Sequence, residues 1–344
     1  MISTAHIMQL NNHPTIFREL AHDQSSNFSL INEPHTVQNT ALKITESKVE
    51  IPKGADAFIP LYISSNTPLE HLEVTMAGTT IFSFPLEFCN KISKKIKKIK
   101  NNFPADEFLY EIPWDLVYKH PIYLVSLAFI EIIFKFKSQA PCNGTLYGSF
   151  IYLETQSRRI LCQTHRKYII TQIVSQELNL HRIGENTYDI ILNGICKGFV
   201  LENIDINKIN GIKISLNDSI LLSYDKNMIH FFLQKLSKNC YYLSFGNNDF
   251  FDSINYNQSI NLSRFERFTL TICSQKIQKI NLHFLCANVL ATQNGLSGLH
   301  FGNVTLTVLK SASKPLSGSI GSQRKPLEGD PQCSISLEDI KIDD

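Results

Sequence analysis

Short strand-like segments separated by turn residues fill the second half of the chain. Asn, Gly, Asp and Ser separate them, as at Asn210-Gly211. Eight such segments within about 130 residues are typical of a jelly roll, in which two antiparallel sheets pack face to face. The segments are residues 188–192, 199–206, 212–216, 229–233, 241–245, 268–273, 280–285 and 304–309.

The first half of the chain has the same character. Its candidate strands are residues 42–51, 56–63, 69–76 and 125–136. The chain has 344 residues, of which 43% are hydrophobic, enough for two domains of about 150 residues that each bury a core. The sequence therefore predicts an all-β protein with two tandem eight-stranded jelly-roll barrels joined by a short helix.

The domain boundaries follow from two changes of pattern. Leu161, Tyr168 and Ile173 lie on one side of a helix predicted over 153–176. Because this helix lies near the middle of the chain, we interpret 158–180 as a linker helix between a first jelly roll (25–157) and a second (181–310). An arm is predicted at 1–24. The tail 311–344, rich in Ser, Gly, Pro, Lys and Asp, is predicted to be disordered because it can bury little apolar surface.

A lysine-rich helix is predicted over residues 90–102. Ile92, Ile96 and Ile99 form one stripe of this helix. The lysines around them are Lys91, Lys94, Lys95, Lys97, Lys98 and Lys100. Three interpretations remain open: a solvated helix, a contact with an anionic partner such as an internal membrane or the genome, and a contact with a neighbouring subunit.

The sequence lacks the usual motifs of catalysis and of cofactor or metal binding, since it contains no GxSxG, GxGxxG, Walker loop or HExxH. The eight cysteines include no CxxC pair, so we interpret them as reduced, buried thiols. The net charge of +2 does not indicate nucleic-acid binding through an extended basic surface. We expect no catalytic, cofactor-binding or metal-binding residues, no small-molecule substrate and no enzymatic activity.

Four segments carry patterns more specific than strand periodicity. In chain order they are Ile112-Pro113-Trp114 with the strand-like 124–132, Phe150-Ile151-Tyr152-Leu153-Glu154 with Arg158-Arg159, Ser259-Ile260-Asn261-Leu262-Ser263-Arg264-Phe265-Glu266, and Cys286-Ala287-Asn288-Val289-Leu290 with residues 294–301. Their order and spacing over roughly residues 28–309 resemble the double jelly-roll major capsid proteins of large DNA viruses, the iridovirus and phycodnavirus type. By their chemistry, we expect Arg264 to pin a turn and Gly295 and Gly298 to allow a positive φ or a close backbone approach.

The resemblance implies a structural role. It implies a homotrimer with a pseudo-hexagonal outline that assembles into an icosahedral shell, so the partners are further copies of this chain and minor capsid proteins. It also implies a location in the virion, with assembly in the host cytoplasm. A poxvirus-like scaffold of the same fold and a minor capsid protein are the alternatives, and a jelly-roll carbohydrate-binding module is the alternative from another class.

Overall fold

The computed structural model describes residues 36–93, 107–163, 165–246, 249–251, 259–293 and 295–310. Within these ranges the chain forms four antiparallel sheets connected by turns and short helices. The predicted arm at 1–24 and the predicted tail at 311–344 lie outside the described residues.

The first barrel contains two four-stranded sheets. Its strands are β1 (Thr36–Ile44), β2 (Lys48–Glu50), β3 (Ala57–Ser65), β4 (His71–Met76), β5 (Thr79–Pro85), β6 (Phe108–Glu111), β7 (Ile132–Lys137) and β8 (Gly144–Tyr152). One sheet has the order β1-β8-β3-β6 and the other has the order β2-β7-β4-β5. Consecutive strands therefore alternate between sheets for most of the barrel, which is the eight-stranded jelly-roll arrangement.

The second barrel repeats this order. Its strands are β9 (Arg166–Leu180), β10 (Gly184–Leu192), β11 (Ile195–Glu202), β12 (Ile209–Leu216), β13 (Ser219–Asp225), β14 (Gln234–Ser237), β15 (Cys240–Ser244), β16 (Ile260–Asn261), β17 (Phe268–Ser274), β18 (Gln278–Gln293), β19 (Leu296–Leu299) and β20 (Leu306–Lys310). The sheets contain β9-β18-β11-β15 and β10-β17-β12-β13, and the short strands β14, β16, β19 and β20 add to them. The predicted double jelly roll is confirmed.

Short helices occupy the connections. The α-helices are α1 (Leu86–Ile92), α2 (Trp114–Val117), α3 (Thr155–Gln163) and α4 (Lys226–Phe232), and single 3₁₀ turns occur at Leu124–Leu127, Ile206–Lys208 and Leu262–Arg264. Helix α3 lies between β8 and β9 and joins the two barrels.

The predicted central helix is much shorter than the sequence pattern indicated. Of the linker helix predicted over 158–180, residues 158–163 belong to α3 and residues 166–180 form the 15-residue strand β9. Residues 168–173 of β9 are buried without interruption, because both faces of this strand pack against protein. A strand buried on both faces loses the alternation that identifies strands, and its apolar run also fits a helical period.

Two further segments differ from the prediction. Residues 229–233 were expected as a strand but fall mainly in α4, which begins after Asp225 because that carboxylate accepts hydrogen bonds from the N–H groups of Asn227 and Met228 at 2.9 and 2.8 Å. The segment 125–136 is strand only from Ile132, after a 3₁₀ turn.

The lysine-rich helix predicted over 90–102 falls mainly on residues that are not described. Its described part is the last turn of α1, and Ser93 after it has extended backbone. Lys94, Lys95, Lys97, Lys98 and Lys100 lie outside the described residues.

Each barrel buries an aromatic core. In the first barrel, Phe58 contacts Phe134 and Phe150 with ring centroids 6.3 and 5.2 Å apart. In the second, Phe284 contacts Phe199 and Phe268 at 5.4 and 5.9 Å. Edge-on and tilted pairs of this kind add to the free energy gained from burying the rings.

Candidate functional site

The sheet that contains β9, β18, β11 and β15 is buried on both faces and forms the junction between the barrels. Along β11, Phe199 and Leu201 belong to the core of the second barrel, whereas Val200 belongs to the cluster that includes the core of the first. On β18, Phe284 belongs to the core of the second barrel, and Leu285 belongs to the cluster that includes the core of the first. Since neighbouring residues of a strand point to opposite faces, one sheet serves both the second core and the junction.

An aromatic cluster forms one side of this junction. Tyr168 of β9 is buried against three residues of the first barrel, with ring centroids 5.6 Å from Tyr118, 5.3 Å from His120 and 6.1 Å from Tyr123. Burial, followed by the nearby charges of Arg166 and Lys119, lowers the pKa of His120 to about 4. His120 is therefore neutral at pH 7 and packs as an aromatic ring.

A charged network forms another side. Lys91 in α1 of the first barrel donates to Glu202 Oε1 in β11 of the second barrel at 2.7 Å. The other oxygen, Oε2, lies 2.9 Å from Asn281 Nδ2 and 3.0 Å from His283 Nε2. His283 Nδ1 lies 2.7 Å from the hydroxyl of Ser175. We call these five residues the junction brace.

Glu202 is an ionised group at the centre of the junction brace. Burial alone would raise the pKa of Glu202, but its three hydrogen-bond donors outweigh burial and lower the pKa to about 2. The two nitrogens of His283 make the remaining contacts, with Nε2 at Glu202 and Nδ1 at the hydroxyl of Ser175. The brace thus holds an ionised carboxylate between the barrels.

The order Ser175, His283, Glu202 also invites comparison with hydrolytic triads. Two features favour a structural role instead. The ring of Phe88 stacks on the imidazole with centroids 4.3 Å apart, so one face of His283 is covered. The carboxylate of Glu202 is shared with a lysine of the other barrel, which ties the group to the junction. The arrangement positions two barrels rather than a reacting substrate.

Asn288 forms a second polar link, and it lies in the last of the four sequence motifs. Its Nδ2 donates to Gln172 Oε1 at 2.9 Å and to the carbonyl of Gly302 at 2.7 Å. Gln172 in turn donates to the carbonyl of Ile81 in the first barrel at 2.9 Å. Because Asn288 and Gln172 are buried, these bonds also satisfy polar groups that would otherwise destabilise the junction.

A cavity of about 740 Å³ opens beside the junction brace. Glu202 and His283 lie at its lining together with Glu70, Glu87 and Tyr110 of the first barrel.

Among the described residues no group of three or more His, Cys, Asp or Glu side chains is placed to hold a metal ion. None of the described helices is long and apolar enough to cross a membrane.

The other motif residues have structural roles that only partly match the expectation. Asn261 accepts from the N–H of Ser263 at 3.1 Å, and Ser263 accepts from the N–H of Gly194 at 2.9 Å, so these two side chains fix the turn. Arg264, expected to pin this turn, is exposed, and no hydrogen bond or ion pair involves it in the part of the chain that is described.

The two glycines of the last motif differ. Gly295 has φ +79°, and a Cβ there would lie 2.4 Å from the ring of Phe129, so the close approach expected at this position is present. A Cβ at Gly298 would meet no atom within 4 Å, so that glycine is not required by packing.

An apolar surface is exposed on the second barrel around α4. Only Ile229 of this helix is buried, whereas Phe231 is 86% exposed and Phe232 is 56% exposed. Ile220 on the adjacent edge strand β13 and Met228 are also exposed. We call Ile220, Met228, Phe231 and Phe232 the α4 surface. Large exposed apolar side chains of this kind make the surface a candidate protein contact site.

No family model and no curated protein matches this sequence. The fold is similar to that of solved viral structures. A quasi-atomic model of the PBCV-1 virus capsid aligns with a TM-score of 0.63 at 12% identity, over 78% of this chain and 97% of that chain. The PBCV-1 VP54 crystal structure, fitted into a reconstruction of the virophage Sputnik, gives 0.60, also at 12% identity, with the same coverage. The Faustovirus major capsid protein gives 0.54 at 8% identity, over 76% and 91%. These likenesses agree with the strand order in placing the chain in the double jelly-roll fold.

Proposed function

We propose that the chain is a structural capsid protein and has no enzymatic activity. The observation that carries this proposal is the double jelly roll, which aligns over 97% of the chain in the PBCV-1 capsid model. The junction adds a physical reason. Two barrels that share a sheet face, an aromatic cluster and a charged brace form one stiff block, and stiff blocks suit a shell built from repeated contacts.

The assembly we propose is a homotrimer. Two barrels in each of three chains give six similar lobes, and a six-lobed unit tiles the flat facet of an icosahedral shell. In a closed ring each copy presents two different surfaces to its neighbours. We assign the α4 surface to one of them, since burying Phe231 and Phe232 against a neighbour removes apolar area from water. A stable contact of this type buries on the order of 2,000 Å².

The location and the other partners belong to the same proposal. We infer a location in the virion, assembly in the host cytoplasm, and contacts with neighbouring trimers and minor capsid proteins. A membrane or genome contact was one of three interpretations of the lysine-rich segment that includes Lys91, but Lys91 is engaged with Glu202. Such a contact therefore rests on the remaining lysines of residues 94–100 and stays a prediction.

Native mass spectrometry tests the assembly. We expect wild-type protein at three times the chain mass. Phe231→Asp is expected to give monomers, because it places a charge in the α4 surface. Ile183→Asp is the matched control, since Ile183 is 72% exposed in the turn between β9 and β10, and it is expected to remain trimeric. Circular dichroism checks that all three proteins are folded.

The outcomes separate the parts of the proposal. A trimer that survives Phe231→Asp would contradict the assigned contact. A wild-type protein that remains monomeric at every concentration would contradict the assembly. Detection of the chain in purified mature particles supports a shell or minor capsid role, whereas its presence only in immature particles would favour a scaffold. Specific glycan binding in the cavity beside the junction brace would instead favour a carbohydrate-binding module.

A further inference from the structure

Two cysteines lie directly opposite each other in the second barrel. Cys196 of β11 is the register partner of Cys286 of β18. Their sulfur atoms are 2.7 Å apart, and both side chains are fully buried in the core of the second barrel. Cys89, Cys142 and Cys240 are also buried, but they are not part of this pair.

This placement meets the geometric needs of a disulfide. Opposite residues in an antiparallel pair have Cα atoms about 4.5–5.5 Å apart, within the range of about 4.4–6.8 Å that a disulfide spans. The side chains leave the sheet on the same face, since both enter the same core. Closing the remaining gap to a bond of about 2.05 Å requires a movement of well under 1 Å.

We propose that Cys196 and Cys286 are a redox modification site, which closes to a cross-strand disulfide by exchange with a small-molecule disulfide such as oxidised glutathione. One cysteine thiolate attacks the glutathione disulfide, so that a mixed disulfide forms and one glutathione thiol leaves. The second cysteine thiolate then attacks the protein sulfur of the mixed disulfide and releases the second glutathione thiol. Two protein thiols are oxidised and one glutathione disulfide is reduced to two thiols.

The reaction occurs on the open chain rather than in the closed barrel. Burial, together with the neighbouring Cys286 thiol, raises the pKa of Cys196, so the reactive thiolate is scarce in the folded state. The core also excludes a molecule as large as glutathione. Oxidation therefore takes place during folding, or after an opening that separates the second barrel's two sheets.

The disulfide would be a covalent crosslink between strands that form the junction. Strands β11 and β18 carry Glu202 and His283, so the disulfide would tie together two of the three strands that hold the second-barrel part of the junction brace. A crosslink that closes a loop of about 90 residues restricts the unfolded chain strongly. The site thus distinguishes a reduced form from a more stable oxidised form.

The test is refolding followed by thiol mapping. Full-length protein is unfolded in denaturant, refolded with either dithiothreitol or a reduced/oxidised glutathione mixture, alkylated with N-ethylmaleimide, digested without reduction and analysed by mass spectrometry. We expect a peptide linked through Cys196 and Cys286 only in the glutathione sample, with a Tm about 5–10 °C higher than in dithiothreitol, from the loop size and the usual change of Tm with stability.

Variants separate this pair from the other thiols. Cys286→Ala is expected to lose the linked peptide and the redox-dependent Tm shift, while Cys89→Ala, equally buried but outside the pair, is expected to keep both. If a variant does not fold, the wild-type peptide map still shows whether Cys196 and Cys286 are linked. Alkylation of both Cys196 and Cys286 after oxidative refolding, or linkage of either to another cysteine, would overturn the proposal.

Discussion

The two barrels share one strand order but differ in the pair formed by the first strand of each barrel and its neighbour in the sheet. In the first barrel, β1 and β8 are nine residues each, and most of β1 is exposed. In the second, the equivalent β9 and β18 have 15 and 16 residues, and β18 is buried over most of its length. Both longer strands carry residues that pack with the first barrel, among them Tyr168 of β9 and Leu285 of β18.

The two barrels therefore contribute different elements to the junction. The first barrel contributes its edge strand β5 together with loops and short helices, including Phe88 and Lys91 of α1 and Tyr118 after α2. The second contributes a continuous sheet face. Substitutions of the junction residues on β9, β11 and β18 should therefore affect both barrels, whereas substitutions of exposed residues on β1 should have small effects.

The largest expected effect is at Tyr168. Tyr168→Ala removes a ring buried between the barrels, and we expect the free energy of unfolding to fall by about 3–5 kcal/mol, the usual range for truncating a buried aromatic residue. Val37 on the equivalent strand β1 is 52% exposed, and Val37→Ala should change the free energy of unfolding by less than about 0.5 kcal/mol. Urea titration of both variants measures this contrast, and equal losses would contradict the asymmetry.

The next effect is at the junction brace. Glu202→Ala leaves Lys91 and the buried His283 without their carboxylate, and we expect a loss of about 2–3 kcal/mol, below the usual range for a buried pair because Lys91 is partly exposed. The control is Asp189→Ala, which breaks the more exposed pair with Arg267 and should cost less than about 1 kcal/mol. Thermal unfolding at pH 7 compares them, and a smaller effect at Glu202 than at Asp189 would exclude a structural brace.

Acid should weaken the junction in two steps. The pKa of His120 is lowered from 6.5 to about 4. Its contribution to the free energy of unfolding is therefore complete above pH 6.5 and is lost as the pH falls toward 4. The pKa of Glu202 is lowered from 4.5 to about 2, so its contribution is lost between pH 4.5 and 2. In unfolding curves measured against pH, His120→Gln should remove the upper step and Glu202→Gln the lower one. Unchanged pH profiles in both variants would argue against these assignments.

The smallest expected effect is at the glycines of the last motif. Gly295→Ala forces a Cβ against Phe129 at a positive φ and should cost about 1–2 kcal/mol. Gly298→Ala meets open space and should change stability by less than about 0.5 kcal/mol. Differential scanning calorimetry of both variants measures the difference, and equal Tm values would show that the contact with Phe129 is unimportant.

Much of the fold could be predicted from the sequence because each barrel has strands with one solvent-facing side. Residues 212–216 and 268–273 alternate between apolar and polar and are strands in the structure. The same rule fails at β9, where both faces are buried and the apolar run fits a helix equally well. It fails again at α4, where exposed Phe231 and Phe232 supply the aromatic content that normally indicates a strand.

The junction could not be predicted from the sequence in the same way. Lys91 and Glu202 are 111 positions apart, and Glu202 and His283 are 81 positions apart. Only the strand order brings them together, because β11 and β18 are neighbours in the sheet and α1 follows β5 of the other barrel. Asn288 is the exception. The sequence singled it out through the motif around it, although its bond to Gln172 depends on the pairing of β9 with β18.

Negative-stain electron microscopy of the purified full-length chain tests the central proposal most directly. If the protein is a capsid building block, the images will show particles with a six-lobed, pseudo-hexagonal outline, each made of three chains, and Phe231→Asp will convert them to two-lobed particles. Two-lobed single chains in the wild-type sample, at concentrations high enough for assembly, would contradict the proposed capsid role.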